Sequence, residues 1–344
     1  MTGLIIPSLL LFSFGIFNLF GIKSALIRNE LFFVVFAILA FLLVKKVGRN
    51  FFSLNSYFFY WLFIIILLVT FIIGFEAKGS KRWLDFYFFN FQASEVFKPF
   101  FILFLTNFLA KEHKGFNRLY VFLASILYFI VPFFIIYKQP DLGNSLIYLI
   151  IFFSLILFSP LPKKYVFYMA LTALVSGPLG WMFLREYQKE RILSFLNPTL
   201  NEQGTAYNMI QSVITTGSGQ FSGKGLGLGT QSRLFFLPEN HTDFAYASLV
   251  EQFGFIGGFA VLILFVIIMV VLIKKLLKYY FQKDEDSLAN FLYVVGFTVY
   301  IASQIIINIG MNLGVFPVAG IALPFISYGG SALVALMIGM ALLP

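Results

Sequence analysis

Asp243 lies near the end of the polar run Leu237–Phe244, at the point where a long polar loop meets an apolar stretch of membrane length. A carboxylate at the mouth of an apolar helix can cap that helix, beside Thr242, by accepting a hydrogen bond from a main-chain N–H group. It can also accept a proton from a reacting hydroxyl group, as a general base does. The residues alone leave both roles open.

Two opposite charges, Glu95 and Lys98, lie three residues apart at the start of another apolar stretch. On a helix this spacing puts them on one face, where they can pair, and Ser94 can cap the same helix. A lone lysine in a membrane span costs about 2.5–3.5 kcal/mol on insertion scales, so Lys98 needs a partner or a wet cavity. The pair either locks helices together or contacts a charged substrate.

Further polar residues interrupt the apolar background. Asp141, within Gln139–Gly143, either caps the following helix or contacts a substrate. A second polar seam consists of Asn308, Asn312, Ser327, Tyr328, Gly329, Gly330 and Ser331. The broken backbone around Pro324 is tolerated only if it is buried in protein or lines a cavity.

These clusters place acids and bases near one predicted outer face of a membrane. The acids are Glu95, Asp141, Asp243 and Glu251, and the bases are Lys81, Arg82, Lys98, Arg191 and Arg233. Such an arrangement suits a substrate with a lipid tail and an anionic head.

The elements that must position these residues are membrane helices. Hydrophobic residues make up 60% of the chain and charged residues 11%, well below the level of a soluble domain. Apolar runs long enough to cross a bilayer as helix occur near residues 4–22, 30–47, 56–75, 93–110, 119–137, 143–160, 164–184, 252–274, 288–309 and 324–343. We therefore predict an all-α polytopic membrane protein with about ten transmembrane helices, the first of them retained and not a cleaved signal peptide.

The net charge of +9 belongs to the segments between the spans and does not indicate nucleic-acid binding. When the long 185–242 loop is left out, the connections on one side of the predicted membrane hold twelve basic residues, and those on the other side hold six. The positive-inside rule then places both termini in the cytoplasm and residues 76–94, 185–242 and 310–323 outside. Cysteine is absent and histidine occurs twice, so disulfides, thiolate chemistry and a histidine-based metal site are not expected.

The chain shows no composition shift or repeat, which favours one membrane domain over residues 1–344. The extracytoplasmic loop of about residues 185–242 shows no obvious secondary structure, apart from a possible amphipathic segment at 207–214. Loops of this length are usually functional or disordered. Its glycine-rich part, 217–229, does not have the spacing of a phosphate loop, and a flexible re-entrant turn is the simpler interpretation.

The chain resembles the SEDS family (shape, elongation, division, sporulation) of bacterial peptidoglycan glycosyltransferases. Five segments carry the resemblance in family order, namely Arg82–Lys98, Gln139–Gly143, Arg191–Pro198, Leu237–Phe244 and Pro324–Ser331. Phe91–Glu95, Asn308–Asn312 and Ser331–Leu333 resemble the elongation branch, RodA, more than the division branch, FtsW. The chain departs from the family pattern at Ala93, Asn144 and Gln252, the last of which replaces a second glutamate.

The resemblance implies polymerisation of lipid II into glycan strands by an inverting attack of an acceptor sugar hydroxyl. Asp243 matches the acid that the family treats as essential, so it is the expected general base. Substrate-binding residues are expected among Lys98, Glu95, Asp141, Arg191, Arg233, Ser327 and Ser331. Lys98, Arg191 and Arg233 are candidates for stabilising the leaving pyrophosphate. The sequence requires no cofactor, and a divalent cation, Mg²⁺ or Mn²⁺, held by phosphate oxygens is an open expectation.

The resemblance also implies a place in the cell and partners. These are the bacterial inner (plasma) membrane, the elongation machinery and a class B penicillin-binding protein whose transpeptidase crosslinks the new strands. Two other functions remain open from the residues. A flippase or transporter for lipid-linked precursors would also line a helical cavity with polar groups, although we find no inverted repeat. A membrane scaffold for cell-wall enzymes would explain the spans but not Asp243.

Overall fold

Helices dominate the structure, a computed structural model that describes residues 2–77, 80–86, 89–112, 117–184, 186–198, 205–282 and 286–344. The first seven are α1 (Thr2–Lys23), α2 (Ile27–Val47), α3 (Arg49–Leu54), α4 (Ser56–Ile73), α5 (Ala93–Glu112), α6 (Arg118–Lys138) and α7 (Leu142–Phe158). The others are α8 (Lys163–Phe183), α9 (Glu186–Leu196), α10 (Thr205–Ser218), α11 (Thr230–Arg233), α12 (Ala245–Phe281), α13 (Ser287–Asn312) and α14 (Gly330–Ala341). The predicted all-helical class is confirmed.

A helix lies at each of the ten predicted spans. By length and composition, the described residues contain 6 helical stretches able to cross a membrane, and the first of these, Gly3–Val47, includes both α1 and α2. The others lie in α4, α5, α6, α12 and α13, while α7 and α14 are shorter apolar helices. α8 fills the seventh predicted span but is not among the six.

The chain folds into two compact units, and each unit contains distant parts of the sequence. The first unit comprises Met1–Glu30, Tyr168–Val271 and Gln304–Gly329. The second comprises Leu31–Phe167, Leu272–Ser303 and Gly330–Pro344. Neither unit is a continuous segment, and the single membrane domain expected from the sequence stays a prediction.

Two predicted spans have different boundaries in the structure. The last helix begins at Gly330 and not at 324, because Phe325 has a φ of 64°, which an α-helix cannot accommodate. The span predicted at 252–274 lies inside α12, which starts earlier and is broken at Gly254, where φ is 68° and ψ is −170°. Glycine suits this break because side chains disfavour positive φ.

The long loop is more ordered than its composition indicated. It contains α9, α10 and α11, and the predicted amphipathic segment 207–214 lies within α10. Some predicted loop charges, Lys78, Lys114, Arg185, Glu202 and Lys283, lie outside the described residues, as does His113.

A small antiparallel sheet occupies the predicted outer segment 76–94, which the sequence did not predict to be ordered. Its strands are β1 (Phe75–Ala77), β2 (Ser80–Asp85) and β3 (Asn90–Phe91), in the order β1-β2-β3. Phe75 pairs with Trp83, and Leu84 pairs with Phe91. The strands are too short for a clear alternating pattern, so propensity alone could not reveal them. β3 leads directly into α5, the almost fully buried helix that carries Glu95 and Lys98.

Candidate active site

Asp243 lies in a turn of the first unit whose backbone is held by α13. The main-chain carbonyl of Asp243 accepts hydrogen bonds from the side-chain amides of Asn308 and Asn312, each with an N···O distance of 3.0 Å. Both asparagines are fully buried, and Asn308 also donates to the carbonyl of Ile321 at 2.6 Å. Two side chains one turn apart on α13 thus fix the position of Asp243.

The residues just before Asp243 are held by the non-helical segment ahead of α14. The Ser327 hydroxyl donates to the carbonyl of Thr242 at 2.6 Å and accepts the N–H of Leu323 at 2.8 Å. The N–H of Tyr328 donates to the carbonyl of His241 at 2.8 Å. Three successive carbonyls, those of residues 241 to 243, are therefore bound by other parts of the first unit, and Ser327 acts here on the backbone.

The start of α12 is capped from another helix. Asn312 Oδ1 accepts the N–H of Ala247, in the first turn of α12, at 2.9 Å. An N-cap side chain normally makes this kind of bond, so Asn312 supplies a cap to α12, which was one of the two roles left open for Asp243. Phe244 is buried in a small apolar cluster with Leu237 and Ala247, while the side chain of Asp243 is half-buried.

Gly320 faces the carboxylate of Asp243. A Cβ atom added at Gly320 would lie 3.7 Å from Asp243 Oδ2, and the backbone φ of Gly320 is 67°. The segment between α13 and α14 therefore approaches the carboxylate without a side chain. The carboxylate is therefore not crowded by a side chain at this position. Its backbone is held by the carbonyl bonds described above, as a positioned proton acceptor requires.

Glu251, the other acid on this part of α12, is engaged by the loop. Its carboxylate is fully buried and accepts hydrogen bonds from the main-chain N–H groups of Gln231 and Ser232, both at 2.9 Å. The Ser232 hydroxyl at 2.6 Å, the Ser218 hydroxyl at 3.3 Å and Lys224 Nζ at 3.2 Å complete its partners. A carboxylate surrounded by donors in this way holds the loop and is poorly placed to take a substrate proton.

The break in α12 lets the glycine-rich loop bond to the helix backbone. The carbonyls of Glu251 and Gln252 accept the N–H groups of Lys224 and Gly225, at 2.9 and 3.0 Å. Beyond the break, the N–H groups of Phe255 and Ile256 donate to Gln220 and Phe221. The 217–229 segment, expected to be a flexible turn, is therefore tied to α12 on both sides of Gly254.

Gln252 both donates and accepts hydrogen bonds through its side-chain amide. A glutamate carboxylate, which has no N–H group, could not make both bonds. The Nε2 of Gln252 donates to Asn18 Oδ1 at 2.6 Å, and its Oε1 accepts the N–H of Gly227 at 3.0 Å. Asn18 in turn donates to the Ser248 hydroxyl at 3.1 Å. Asn18 was missed from the sequence, where an amide inside the first apolar stretch was the only available signal.

Both predicted loop arginines lie in the first unit with Asp243, and each donates to a main-chain carbonyl. Arg233 donates to Gly227 at 2.8 Å, and Arg191 on α9 donates to Val318 at a longer 3.4 Å. Arg233 is exposed and Arg191 is half-buried. Both guanidinium groups are thus oriented by main-chain carbonyls of the first unit.

The predicted Glu95–Lys98 pair is present in the second unit. Lys98 Nζ lies 2.7 Å from Glu95 Oε2, and the lysine side chain is fully buried. The same Nζ lies 5.2 Å from the centre of the Tyr300 ring, within the range of a cation–π contact. Together these contacts supply the partner that a lysine in an apolar helix needs.

Asp141, also in the second unit, caps α7 and joins a network of hydrogen bonds. Its Oδ1 accepts the N–H of Asn144 at 3.2 Å, and its Oδ2 accepts the side-chain amides of Asn144 and Gln92 at 2.8 and 2.9 Å. Arg82 approaches Oδ1 at 3.5 Å. The cap role is thus established, and the predicted substrate contact stays a prediction.

Ser331 connects this network to α14, since its hydroxyl accepts the N–H of Gln92 at 2.9 Å.

The predicted site residues are divided between the two units. Asp243, Arg191, Arg233 and Ser327 lie in the first, and Glu95, Lys98, Asp141 and Ser331 lie in the second.

The described part of the chain contains no group of three or more His, Asp or Glu side chains that could hold a metal ion. These residues do not by themselves form a divalent-cation site. A divalent cation, Mg²⁺ or Mn²⁺, held by phosphate oxygens stays a prediction.

Comparison with known proteins adds evidence for the family. The family model FTSW_RODA_SPOVE, described as "Cell cycle protein", matches residues 3–344. The peptidoglycan glycosyltransferase MrdB of Helicobacter pylori is 35% identical over 311 residues, which cover 89% of this chain and 77% of the relative. The probable peptidoglycan glycosyltransferase FtsW of Taylorella equigenitalis is 32% identical over 320 residues, which cover 92% of this chain and 86% of the relative.

Two solved structures share the fold. A chain described under "Structural coordination of polymerization and crosslinking by a peptidoglycan synthase complex" matches with a TM-score of 0.80 and 25% identity, over 100% of this chain and 96% of that one. The rod shape determining protein RodA of Thermus thermophilus matches with a TM-score of 0.73 and 22% identity, over 100% and 95%.

Proposed function

This chain belongs to the FtsW, RodA and SpoVE family of cell cycle proteins, and we propose that it polymerises lipid II into glycan strands during cell elongation. The predicted enzyme class, peptidoglycan glycosyltransferase, is confirmed by the names of the curated relatives, which include MrdB of Escherichia coli at 33% identity. The observation that carries the mechanism is the position of Asp243 on a turn held at three successive carbonyls.

In the proposed reaction, an acceptor sugar hydroxyl attacks the anomeric carbon of lipid II. The new glycosidic C–O bond forms as the C–O bond to the pyrophosphate breaks, and the pyrophosphate leaves with the bonding electrons. The Asp243 carboxylate takes the hydroxyl proton, a role that typically contributes about 10²–10⁴-fold. Direct displacement inverts an α-linked donor to a β1,4 product, with no covalent enzyme intermediate.

The leaving pyrophosphate requires positive charge. Arg233 suits this role best, since it is oriented by the carbonyl of Gly227 and its planar group carries five N–H donors that match phosphate oxygens, while Arg191 remains a candidate. Lys98 is bound to Glu95, so its charge is already partly balanced. We therefore rank Arg233 above Lys98 as a pyrophosphate contact, and we assign the Glu95–Lys98 pair a structural role within the buried face of α5.

An elongation role is our choice between the two branches of the family. The motifs Phe91–Glu95, Asn308–Asn312 and Ser331–Leu333 support it, while the curated relatives carry both MrdB and FtsW names. Expression in rod-shaped cells depleted of their own elongation polymerase tests it. Recovery of rod shape is expected, and rescue of division alone would assign the chain to the other branch.

The proposed location is the bacterial plasma membrane, with both termini in the cytoplasm and the 185–242 loop outside. The proposed partner is a class B penicillin-binding protein of the elongation machinery. The match to a chain from a complex described as coordinating polymerisation and crosslinking supports such a pairing. The described residues form membrane helices, a small sheet and short loop helices, without a separate transpeptidase domain.

Purified full-length protein incubated with fluorescent lipid II tests the polymerase function. Glycan strands that a muramidase digests are expected, alone or with the transpeptidase partner. Folded protein that makes no glycan in either case, but moves lipid II between the leaflets of vesicles, would establish the flippase alternative. Folded protein that does neither would leave a scaffold role.

A further inference from the structure

A cleft with a volume of about 460 Å³ opens in the first unit between the end of α1 and the turn that precedes α11. Two cations line it, Lys23 in the last turn of α1 and Arg233 at the end of α11. None of the described residues that line the cleft is acidic. The lining of the cleft therefore carries a net positive charge.

The floor of the cleft is built from a close approach of two glycines. A Cβ atom added at Gly21 would lie 2.7 Å from the main-chain nitrogen of Gly227, which is closer than real Cβ atoms come. Gln252 lies beneath them, 2% exposed, and its Oε1 accepts the Gly227 N–H. A buried side chain thus sets the shape of the floor.

Arg233 is oriented by the same turn. Its guanidinium donates to the carbonyl of Gly227 at 2.8 Å, which uses one of its five N–H groups. The planar donor set of arginine matches phosphate oxygens, and lysine supplies a second, more mobile charge. This pair of cations over a fixed floor suits a phosphate group.

The rim of the cleft is apolar and exposed. Phe20, Leu226 and Leu228 all line it, with exposed fractions of 57%, 42% and 63%. Exposed apolar side chains beside cations are typical of protein surfaces at the boundary between acyl chains and lipid headgroups. By the predicted topology, this boundary is on the outer side of the membrane, where the 185–242 loop lies.

We propose that the Lys23–Arg233 cleft binds the phosphate of a membrane lipid, whose hydrocarbon chain lies against Phe20, Leu226 and Leu228. Two sources share this chemistry, a prenyl pyrophosphate such as the leaving group of polymerisation and an anionic phospholipid. Only the first source, the prenyl pyrophosphate, depends on the proposed polymerase function. Lipid binding itself requires no sugar transfer.

Binding to purified full-length protein in detergent, measured by native mass spectrometry, tests the proposal. The probes are farnesyl pyrophosphate, phosphatidylglycerol and, as a zwitterionic reference, phosphatidylcholine. The variants are Lys23→Gln, Arg233→Gln and their combination, with Lys138→Gln as a matched control that removes a cation outside the cleft. Farnesyl pyrophosphate carries no sugar, so the result is independent of polymerase activity.

The double variant is expected to bind an anionic probe about tenfold more weakly or worse, because it loses two charge-assisted contacts. The Lys138→Gln variant should bind normally, and Arg233→Lys should recover part of the loss. A loss confined to farnesyl pyrophosphate identifies the leaving-group source, and a loss confined to phosphatidylglycerol identifies a phospholipid. Equal binding of both anionic probes by all variants, at matched thermal stability, would overturn the proposal.

Discussion

The side-chain amide of Asn312 donates to the main-chain carbonyl of Asp243 across 3.0 Å, while its oxygen accepts the N–H of Ala247. One side chain on α13 therefore holds the turn before α12 and caps the first turn of that helix. Because Asn312 is fully buried, neither bond can be replaced by bulk water. The backbone position of the proposed base thus depends on a residue that need not touch substrate.

Asn312→Asp is expected to weaken both stability and turnover. The substitution keeps the size of the side chain but replaces the donor amide with an acceptor oxygen that faces the Asp243 carbonyl. An unsatisfied buried group costs about 1–3 kcal/mol, so thermal unfolding should occur at a lower temperature and lipid II turnover should fall. Asn55→Asp is the control, since Asn55 makes only a local bond at an exposed position. Equal effects of the two substitutions would contradict the positioning role of Asn312.

Glu251→Gln should loosen the glycine-rich loop. The carboxylate accepts five hydrogen bonds from the loop, and an amide would turn an NH₂ group towards some of these donors. Hydrogen exchange across 218–233 should become faster while exchange in α13 stays slow. Glu186→Gln removes a largely exposed acid and should leave the loop unchanged. Unaltered exchange in Glu251→Gln would show that the carboxylate is not what holds the loop.

The Glu95–Lys98 ion pair can be compared with a surface pair of the same spacing, Glu186–Lys189. Breaking the buried pair with Glu95→Gln or Lys98→Met should cost about 3–5 kcal/mol, because one charge is left unpaired. The double variant should recover part of that loss. The exposed pair should show a coupling of about 0–1 kcal/mol. Double-mutant cycles of thermal stability measure both, and additive losses at Glu95 and Lys98 would mean that the two do not interact.

Local spacing and apolar length were sufficient to predict much of this structure. The positions of the helices follow from stretches of membrane length, and the Glu95–Lys98 contact follows from a separation of three residues on one helix. The bond between Asn18 and Gln252 could not be predicted, since it joins residues 234 apart in sequence. The break at Gly254 was also missed, because Gly257 and Gly258 follow in the same apolar run and nothing in the pattern marks one of the three as the break.

The site shows the same division between local and long-range information. The role of Asp141 as a cap was one of two open interpretations, and it depends on neighbours along the chain. The bonds that hold Asp243 and the preceding Thr242 come from Asn308, Asn312 and Ser327, more than sixty residues away in sequence. A single sequence contains no signal that pairs such positions.

The predicted topology can be tested by labelling, because the chain contains no cysteine. Ser222→Cys places a thiol on an exposed part of the long loop, and Gln282→Cys places one beyond the end of α12. An impermeant maleimide added to intact cells should label the first and not the second. Labelling of both after permeabilisation is the control. The reverse pattern would put the loop in the cytoplasm and contradict the polymerase function.

Asp243→Asn provides the most direct test of the proposed base. Asparagine keeps nearly the same shape and caps helices about as well as aspartate, so α12 should still begin at Ala245. The amide cannot accept the hydroxyl proton, so turnover should fall by about 10²–10⁴-fold. Turnover of fluorescent lipid II by purified proteins at matched thermal stability measures the loss, with Asp85→Asn in β2 as an exposed control. If Asp243 served only as a cap, the variant would retain most of its activity. Near-normal glycan synthesis would therefore end the assignment of Asp243 as the base. Asp141 and Glu251 would be weak replacements, because each already accepts several hydrogen bonds from its neighbours.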